Sequence, residues 1–394
     1  MSARSLASGI TADVAIVGGG VIGLTIARTL AMRGVRNVML IERGALGAEA
    51  SWAAGGILAP QVEADHESDL FRLACASRDL YPAFAHALRE ETGVDVELDP
   101  TGTLYLGFTR EDEAEFRPRF TWQSEQGLRI DWLSGDEARQ LEPQISSRVR
   151  CALRFPNDIQ VNNRKLIKAL VKANRKLGVR VANNCEVNSV RINLGRVSGI
   201  ETSGGHVSVP VIVLAAGAWN SFIRSPDALL PEIRIEPVRG QMLCFAGGPS
   251  LARHVIYSSS GYLVPRCDGR VLAGSTSEHA GFEKRVTDAG INAIKSMASQ
   301  IIPELNRLPL VDSWAGFRPR AADDLPVLGP CEAIEGLFYA AGHYRNGILL
   351  APITGDLIAE AIVNGVAPSM LEPFSPNRFR MSQATRFGGN PTEV

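Results

Sequence analysis

At 394 residues the chain is too long for one ordinary hydrophobic core, so two domains are expected. Hydrophobic residues make up 45% and charged residues 21%, the balance of a globular protein rather than a disordered one. A net charge of −1 offers no basic field for a phosphate backbone and argues against nucleic acid as a partner. The 6 cysteines (Cys75, Cys151, Cys185, Cys244, Cys267, Cys331) lie far apart without CxxC or metal-ligand spacing, and read as buried, reduced thiols. The opening "MSARSLASGITA" lacks the apolar core of a signal peptide, and no stretch approaches the roughly 18 apolar residues of a membrane span. The expectation is a soluble, cytoplasmic protein with no membrane partner.

The first informative segment is "DVAIVGGGVIGLTIARTLAMRGVRNVMLIERG". Residues 13–17 are a short β-branched run suited to a buried parallel strand. Gly18, Gly20 and Gly23 form G-x-G-x-x-G: a tight turn, close approach of a pyrophosphate, and close helix–strand packing. A helix over 21–33 puts Ile22, Ile26, Thr29 and Leu30 on one face and stops at Gly34. The next strand ends at Glu42, 19 residues past Gly23, the spacing of a ribose-hydroxyl acceptor. Together these elements predict a dinucleotide site; the glycine motif alone would be a weak signal.

No further strand–helix unit follows. Instead comes "GALGAEASWAAGGILAP", residues 44–60, whose Ser51, Ala53, Ala54, Gly55 and Gly56 would let backbone lie against something flat or charged. A flexible surface loop is the other reading, although Trp52, Ile57 and Leu58 are apolar for one. Residues 66–92 read as a long amphipathic helix, "ELDPTGTLYLGF" as a strand, and "REDEAEFRPRFTWQSEQG" as a charged helix with a solvated face. "CALRFPNDIQVNNRKLIKALVKANRKLG" reads as a strand and helix returning to the first domain. A meander leads to "VPVIVLAAGAWN", and antiparallel strands follow, with a hairpin turn at 267–270. The last region, "GLFYAAGHYRNGILLAPITGDLIAEAIV", is again a strand running into Ala-Ala-Gly and then a helix, expected to begin near Gly347. Three such elements returning to one sheet suit a long cofactor spanning it, FAD, better than NAD.

The motifs "VGGGVIGLTIARTLAMRG", "EASWAAGGILAP", "GYLVPR", "WAGFRP" and "GHYRNGILLAPITG" resemble those of the D-amino-acid oxidase superfamily, most closely the glycine oxidases of the thiamine-pathway type. The similarity runs from about residue 12 to 366. It implies flavin-dependent oxidation of a small amino acid to its imine, with O2 reduced to H2O2 and a functional link to thiazole synthase. It also implies a homo-oligomer, dimer or tetramer. The expected fold is α/β: a Rossmann-like FAD-binding domain (12–84, 152–225 and 316–366) interleaved with an α+β substrate domain on a mainly antiparallel sheet (85–151 and 226–315). Residues 1–11 and 373–394 are expected to be tails, the latter loosely ordered.

Cofactor contacts are expected from Gly18, Gly20, Val21, Ile22 and Gly23, from Glu42 and Arg43, and from Ser51, Ala53, Ala54, Gly55 and Gly56. The later segments add Val187, Ala216, Gly217, Trp219 and Gly316, then His343, Tyr344, Arg345, Asn346, Gly347, Ile348 and Leu349. Val187 is assigned by the resemblance to backbone contacts with adenine. Some relatives attach flavin through a cysteine just before the position of Arg318; Gly316 and Phe317 stand there, so FAD is expected to be non-covalent.

Hydride transfer from an amino-acid α-carbon demands little acid–base chemistry, because the flavin is the electron sink. The protein must hold the carboxylate, orient the Cα–H and balance charge. Arg318 is the expected carboxylate clamp, its planar fork suiting a bidentate partner; a salt bridge to Asp323 or Asp324 is the alternative. Arg320 is expected on the opposite side and exposed, and Arg266 is expected to be a solvated charge. Tyr262 is expected to hydrogen-bond the carboxylate, or else to be an ordinary sheet tyrosine. Arg345, a cation near an expected helix N-terminus, needs an anion: the flavin site or substrate, or else a backbone carbonyl or a carboxylate such as Asp356. Ser277 is expected over the pocket, where a small side chain would admit substrates larger than glycine. A dehydrogenase of the same fold, taking a D-amino acid or a sarcosine- or proline-like substrate and passing electrons to another acceptor, is the alternative activity. An RNA-modifying role is disfavoured by the charge balance.

Overall fold

In a computed structural model, the structure describes residues 9–228, 230–248 and 251–379. A six-stranded sheet runs in the order Val327–Pro330, Leu337–Ala341, Val211–Leu214, Val14–Val17, Val38–Glu42, Arg180–Asn183, parallel throughout except at the Val327–Pro330 edge. Its central strands are apolar at every position because both faces are covered. Val14, Ile16, Leu40 and Val213 face the helices Val21–Met32, Asp69–Thr92, Asn163–Lys176 and Ala351–Asn364. The alternate residues Ala15, Val17, Met39, Ile41, Ile212 and Leu214 pack on a four-stranded sheet that contributes Val190, Ile200 and Val207.

The second large sheet has eight strands: Leu310–Ala321, Ile235–Phe245, Val271–Gly274, Gly261–Pro265, Val255–Ser258, Thr103–Gly107, Cys151–Phe155 and Asp131–Ser134. Only the Val255–Ser258/Thr103–Gly107 pair is parallel, so the sheet is mainly antiparallel, as expected. One face packs on the helix Asp288–Ile301; the other carries Met242, Tyr257, Tyr262 and Trp314, which pack in one cluster with Ala53, Ala59, Val62 and Phe116. Among the described residues, no helix is long and apolar enough to cross a membrane, and no cluster of His, Cys, Asp or Glu could hold a metal ion.

Three of the expected boundaries fall inside single elements. The helix Asp69–Thr92 runs through 84/85, and the strand Leu310–Ala321 runs through 315/316. Cys151–Phe155 belongs to the eight-stranded sheet, not to the cofactor sheet. Apolar alternation shows that a segment is a strand, but not which sheet accepts it. Ile10–Thr11, assigned to the N-terminal tail, pairs with Gly205–Ser208. At the other end Leu371 and Phe374 are buried, and Arg378 bonds Asp323 at 2.7 Å, so 373–379 is packed rather than loose. The expectation for 1–8 and 380–394 lies outside the described residues.

Candidate active site

A pocket of about 290 Å3 lies between the two large sheets. At one end is the glycine turn. Gly18 has φ 114°, and a Cβ there would sit 2.3 Å from Ala215 O; a Cβ on Gly23 would sit 1.9 Å from Gly18 O. Both glycines are required by packing. A Cβ on Gly20 would meet only Ser51 Oγ, at 3.3 Å, so the protein's own packing leaves this position open toward the pocket. The helix Val21–Met32 has neither a side-chain N-cap nor an acid in its first turn, leaving its positive end uncompensated; Val21 N donates to Ser51 Oγ at 2.9 Å. Glu42 braces this turn, accepting from Gly19 N at 2.7 Å and Gly44 N at 2.8 Å. Arg43 stacks on Trp219 at 3.6 Å.

The 44–60 segment is not a flexible loop. Trp314 Nε1 donates to Ala53 O at 2.9 Å, and Asn163 Nδ2 donates to Ser51 O at 2.8 Å and Trp52 O at 3.0 Å. Arg266 corrects the expectation of a solvated charge. Its guanidinium donates to Gly55 O at 2.7 Å and Val161 O at 3.1 Å, tying the segment down, and burial lowers its pKa to about 10. Gly316 admits the segment from the other side: a Cβ there would lie 2.5 Å from Ala53 Cβ.

The far end of the pocket is built mostly from the eight-stranded sheet. Arg318 donates to Thr276 O at 3.1 Å and to Ser275 Oγ, and Tyr262 OH reaches Ser275 Oγ at 3.3 Å. Among the described residues no carboxylate pairs with Arg318: Asp323 pairs with Arg378, and Asp324 with Arg320. The alternative salt bridge is thereby overturned. So is the placement of Arg320, which is half-buried, paired, and on the same face as Arg318, because residues two apart on a strand share a face. Ser277 is exposed and does not line the pocket; Ser275 does.

The turn after the last parallel strand closes this end. Tyr344, at φ 46°, donates its N–H to Pro319 O at 2.9 Å, which hangs the turn beside Arg318. The helix begins at Ala351, later than expected, because residues 347–350 form a separate turn ahead of Pro352. Ser77 Oγ donates to Leu349 O at 2.6 Å, and Tyr81 OH to Ile348 O. The amides of Gly347, Ile348 and Leu349 have no protein acceptor among the described residues. His343 is buried, with Nε2 3.2 Å from Thr354 Oγ1, and burial pushes its pKa down to about 3, so it is neutral. Arg345 finds its anion in Glu63, at 3.1 Å, rather than in Asp356, which lies 3.9 Å from Arg33. Glu63 holds the Arg345 guanidinium firmly protonated.

The model for FAD-dependent oxidoreductases matches residues 13–361. The chain belongs to this family. It is 37% identical to the glycine oxidase of Geobacillus kaustophilus (strain HTA426), over 93% of this chain and 97% of that one. The crystal structure of the Geobacillus kaustophilus enzyme superimposes with a TM-score of 0.88 at 36% identity, covering 94% of this chain and 99% of that one. The chain is also 35% identical to the bifunctional protein ThiO/ThiG of Trichormus variabilis, over 95% of this chain but 56% of that longer protein.

FAD is the family's cofactor, and the pocket fits it: an uncapped helix end, a glycine the protein does not itself need, and the acceptor-free amides of Gly347 and Ile348 all belong to residues that line one cavity. Of the expected contact residues, Gly23 and Leu349 do not line the pocket; the others do. Sequence reasoning missed Glu63, Tyr257, Met242 and Ser275. Tyr257 was within reach, since "YSSSGY" folds as a hairpin that pairs Tyr257 directly with Tyr262. Glu63 carried no signal, because its partners lie 194 and 282 residues away.

Proposed function

We propose that this oxidoreductase oxidises glycine or another small amino acid to its imine while O2 is reduced to H2O2. The observation that carries the reading is Arg318, a pocket guanidinium held by Thr276 O and Ser275 Oγ with no carboxylate partner among the described residues. A bidentate substrate carboxylate fits that vacancy in its charge balance. Tyr262 OH, half-buried beside Ser275, would complete the clamp and fix which substrate bond faces the ring. Gly18, Gly20, Gly55 and the amides of Gly347 and Ile348 would hold the cofactor, which when bound supplies the two-electron acceptor for the Cα–H and delivers those electrons to oxygen. Two hydrogens leave the amino acid, one from Cα and one from nitrogen, and both appear in the peroxide. Burial lowers the His343 pKa to about 3, which makes its neutral imidazole a weak base, and Arg345 is paired with Glu63, consistent with a substrate amine that is already neutral when it reacts.

The relatives support glycine as the substrate class, and the fused ThiO/ThiG proteins support a product that feeds thiazole synthesis. We further propose non-covalent FAD and a homo-oligomer. Acid precipitation should leave colourless protein, and light scattering should give the mass of a dimer or tetramer. The decisive experiment is oxygen uptake on adding glycine, sarcosine or D-alanine to the purified flavoprotein. Uptake with equimolar peroxide is expected. Flavin bleaching only under anaerobic conditions, with no uptake in air, would replace the oxidase by a dehydrogenase.

A further inference from the structure

The substrate end of the pocket contains two guanidiniums and one carboxylate: Arg318, Arg345 and Glu63. Their arrangement is not symmetrical. Among the described residues Arg318 has only neutral partners, whereas Arg345 Nη2 lies 3.1 Å from Glu63 Oε1. The same oxygen accepts from Tyr257 OH at 3.1 Å. Tyr257 stacks against Tyr262, ring centroids 5.4 Å apart, and Tyr262 leads through Ser275 to Arg318. The two cations therefore belong to one connected site, with one charge already answered by the protein.

Glu63 does not sit there by accident of a loose loop. The preceding residues are held from both sides. Buried Asp158 accepts from Gln61 N at 3.3 Å and Val62 N at 2.8 Å, while Arg119 Nη1 donates to Val62 O at 2.9 Å. Gln123 Nε2 donates to Gln61 O at 2.8 Å, from the buried side of the helix Arg110–Glu125, whose other face is solvated as expected. A buried polar network of this kind fixes the backbone that presents Glu63.

We propose that Glu63 is a specificity-determining residue that restricts the site to amino acids with a single carboxylate, by acting as the internal counter-anion of Arg345. This rests on the substrate reading above. With Glu63 ionised the substrate end carries a net charge of one positive, which one carboxylate on Arg318 neutralises. A second anionic group on the substrate would have to displace Glu63 from Arg345 and then lie beside the displaced carboxylate, a like-charge contact that discriminates strongly between ligands. Glu63→Gln keeps the size and a carbonyl acceptor for Tyr257 but removes that charge. It leaves Arg345 free for a second carboxylate.

The test uses the FAD-loaded enzyme and has two readouts. The perturbation of flavin absorbance gives dissociation constants for acetate and malonate, which differ by one carboxylate, without requiring turnover. Steady-state kinetics gives kcat and KM for glycine and iminodiacetate. In E63Q the preference for malonate over acetate should rise about tenfold, and kcat/KM for iminodiacetate relative to glycine should rise by a similar factor, chiefly through KM. The double variant Glu63→Gln/Arg345→Met should lose the gain, since the freed guanidinium is its source. Unchanged ratios in E63Q with normal flavin absorbance would overturn the proposal, as would a gain that survives in the double variant or the absence of any ligand-induced spectral change. Failure of the oxidase reading is distinguishable: the wild type would then not turn over glycine, while the acetate–malonate comparison would still report on Glu63.

Discussion

The two ends of the pocket are built on opposite plans. The nucleotide end is mainly backbone: a glycine turn, an uncapped helix end and a small-residue segment within 18–56, joined by 185–187 and 215–219. The substrate end is side chain: Glu63, Tyr257, Tyr262, Ser275, Arg318 and Arg345, spread over nearly three hundred residues and carried by loop, sheet and turn. The first plan tolerates almost no added atom, because what it needs is absence of Cβ. The second tolerates conservative change but is sensitive to charge. The consequence is that mutations at one end should act on cofactor retention and stability, and at the other on substrate affinity.

The strongest way to break that comparison is at Gly23. Its Cβ would lie 1.9 Å from Gly18 O, a backbone atom that cannot turn aside. Gly23→Ala should cost about 3 kcal/mol and release FAD, seen as loss of yellow colour and of activity on every substrate. A variant that purified with full flavin would show that the nucleotide end is less rigid than its packing implies. Next is Arg318→Met, which should retain FAD yet lower kcat/KM for glycine by roughly 10²–10³-fold, the effect of truncating one partner of a shielded charge pair. Unaltered kinetics would move the carboxylate site elsewhere.

Arg266 sharpens the comparison, being a side chain of the substrate sheet that serves the nucleotide end. Arg266→Met leaves Gly55 O and Val161 O without their donor, so FAD affinity should weaken by about 2 kcal/mol while KM for glycine on the loaded enzyme changes little. A change confined to KM would assign Arg266 to the substrate instead. The smallest effect concerns pH. Burial depresses the His343 pKa from 6.5 to about 3, so across that window the unfolded chain binds more protons than the folded one. Stability is therefore gained as pH rises from about 3 to 6.5 and lost as it falls. His343→Gln should flatten the acid side of the Tm profile; equal slopes for the two proteins would exclude His343 as a contributor.

The sequence legible by itself was the part whose chemistry is local. Gly18, Gly20 and Gly23 form one unit because turn and helix are consecutive, and the packing they need follows from backbone geometry, whereas Glu42, expected to accept from a ribose hydroxyl, accepts from the amides of Gly19 and Gly44. The α/β class and the mainly antiparallel second sheet followed likewise from strand and helix periods. Tertiary structure decided the rest. Which sheet receives Cys151–Phe155, whether Arg266 faces water, and which acid answers Arg345 all depend on contacts between segments far apart in the chain. A charged side chain's sequence neighbours do not reveal its partner, because an ion pair is set by proximity in space. Glycines, whose role is the space their own backbone needs, carry that requirement with them.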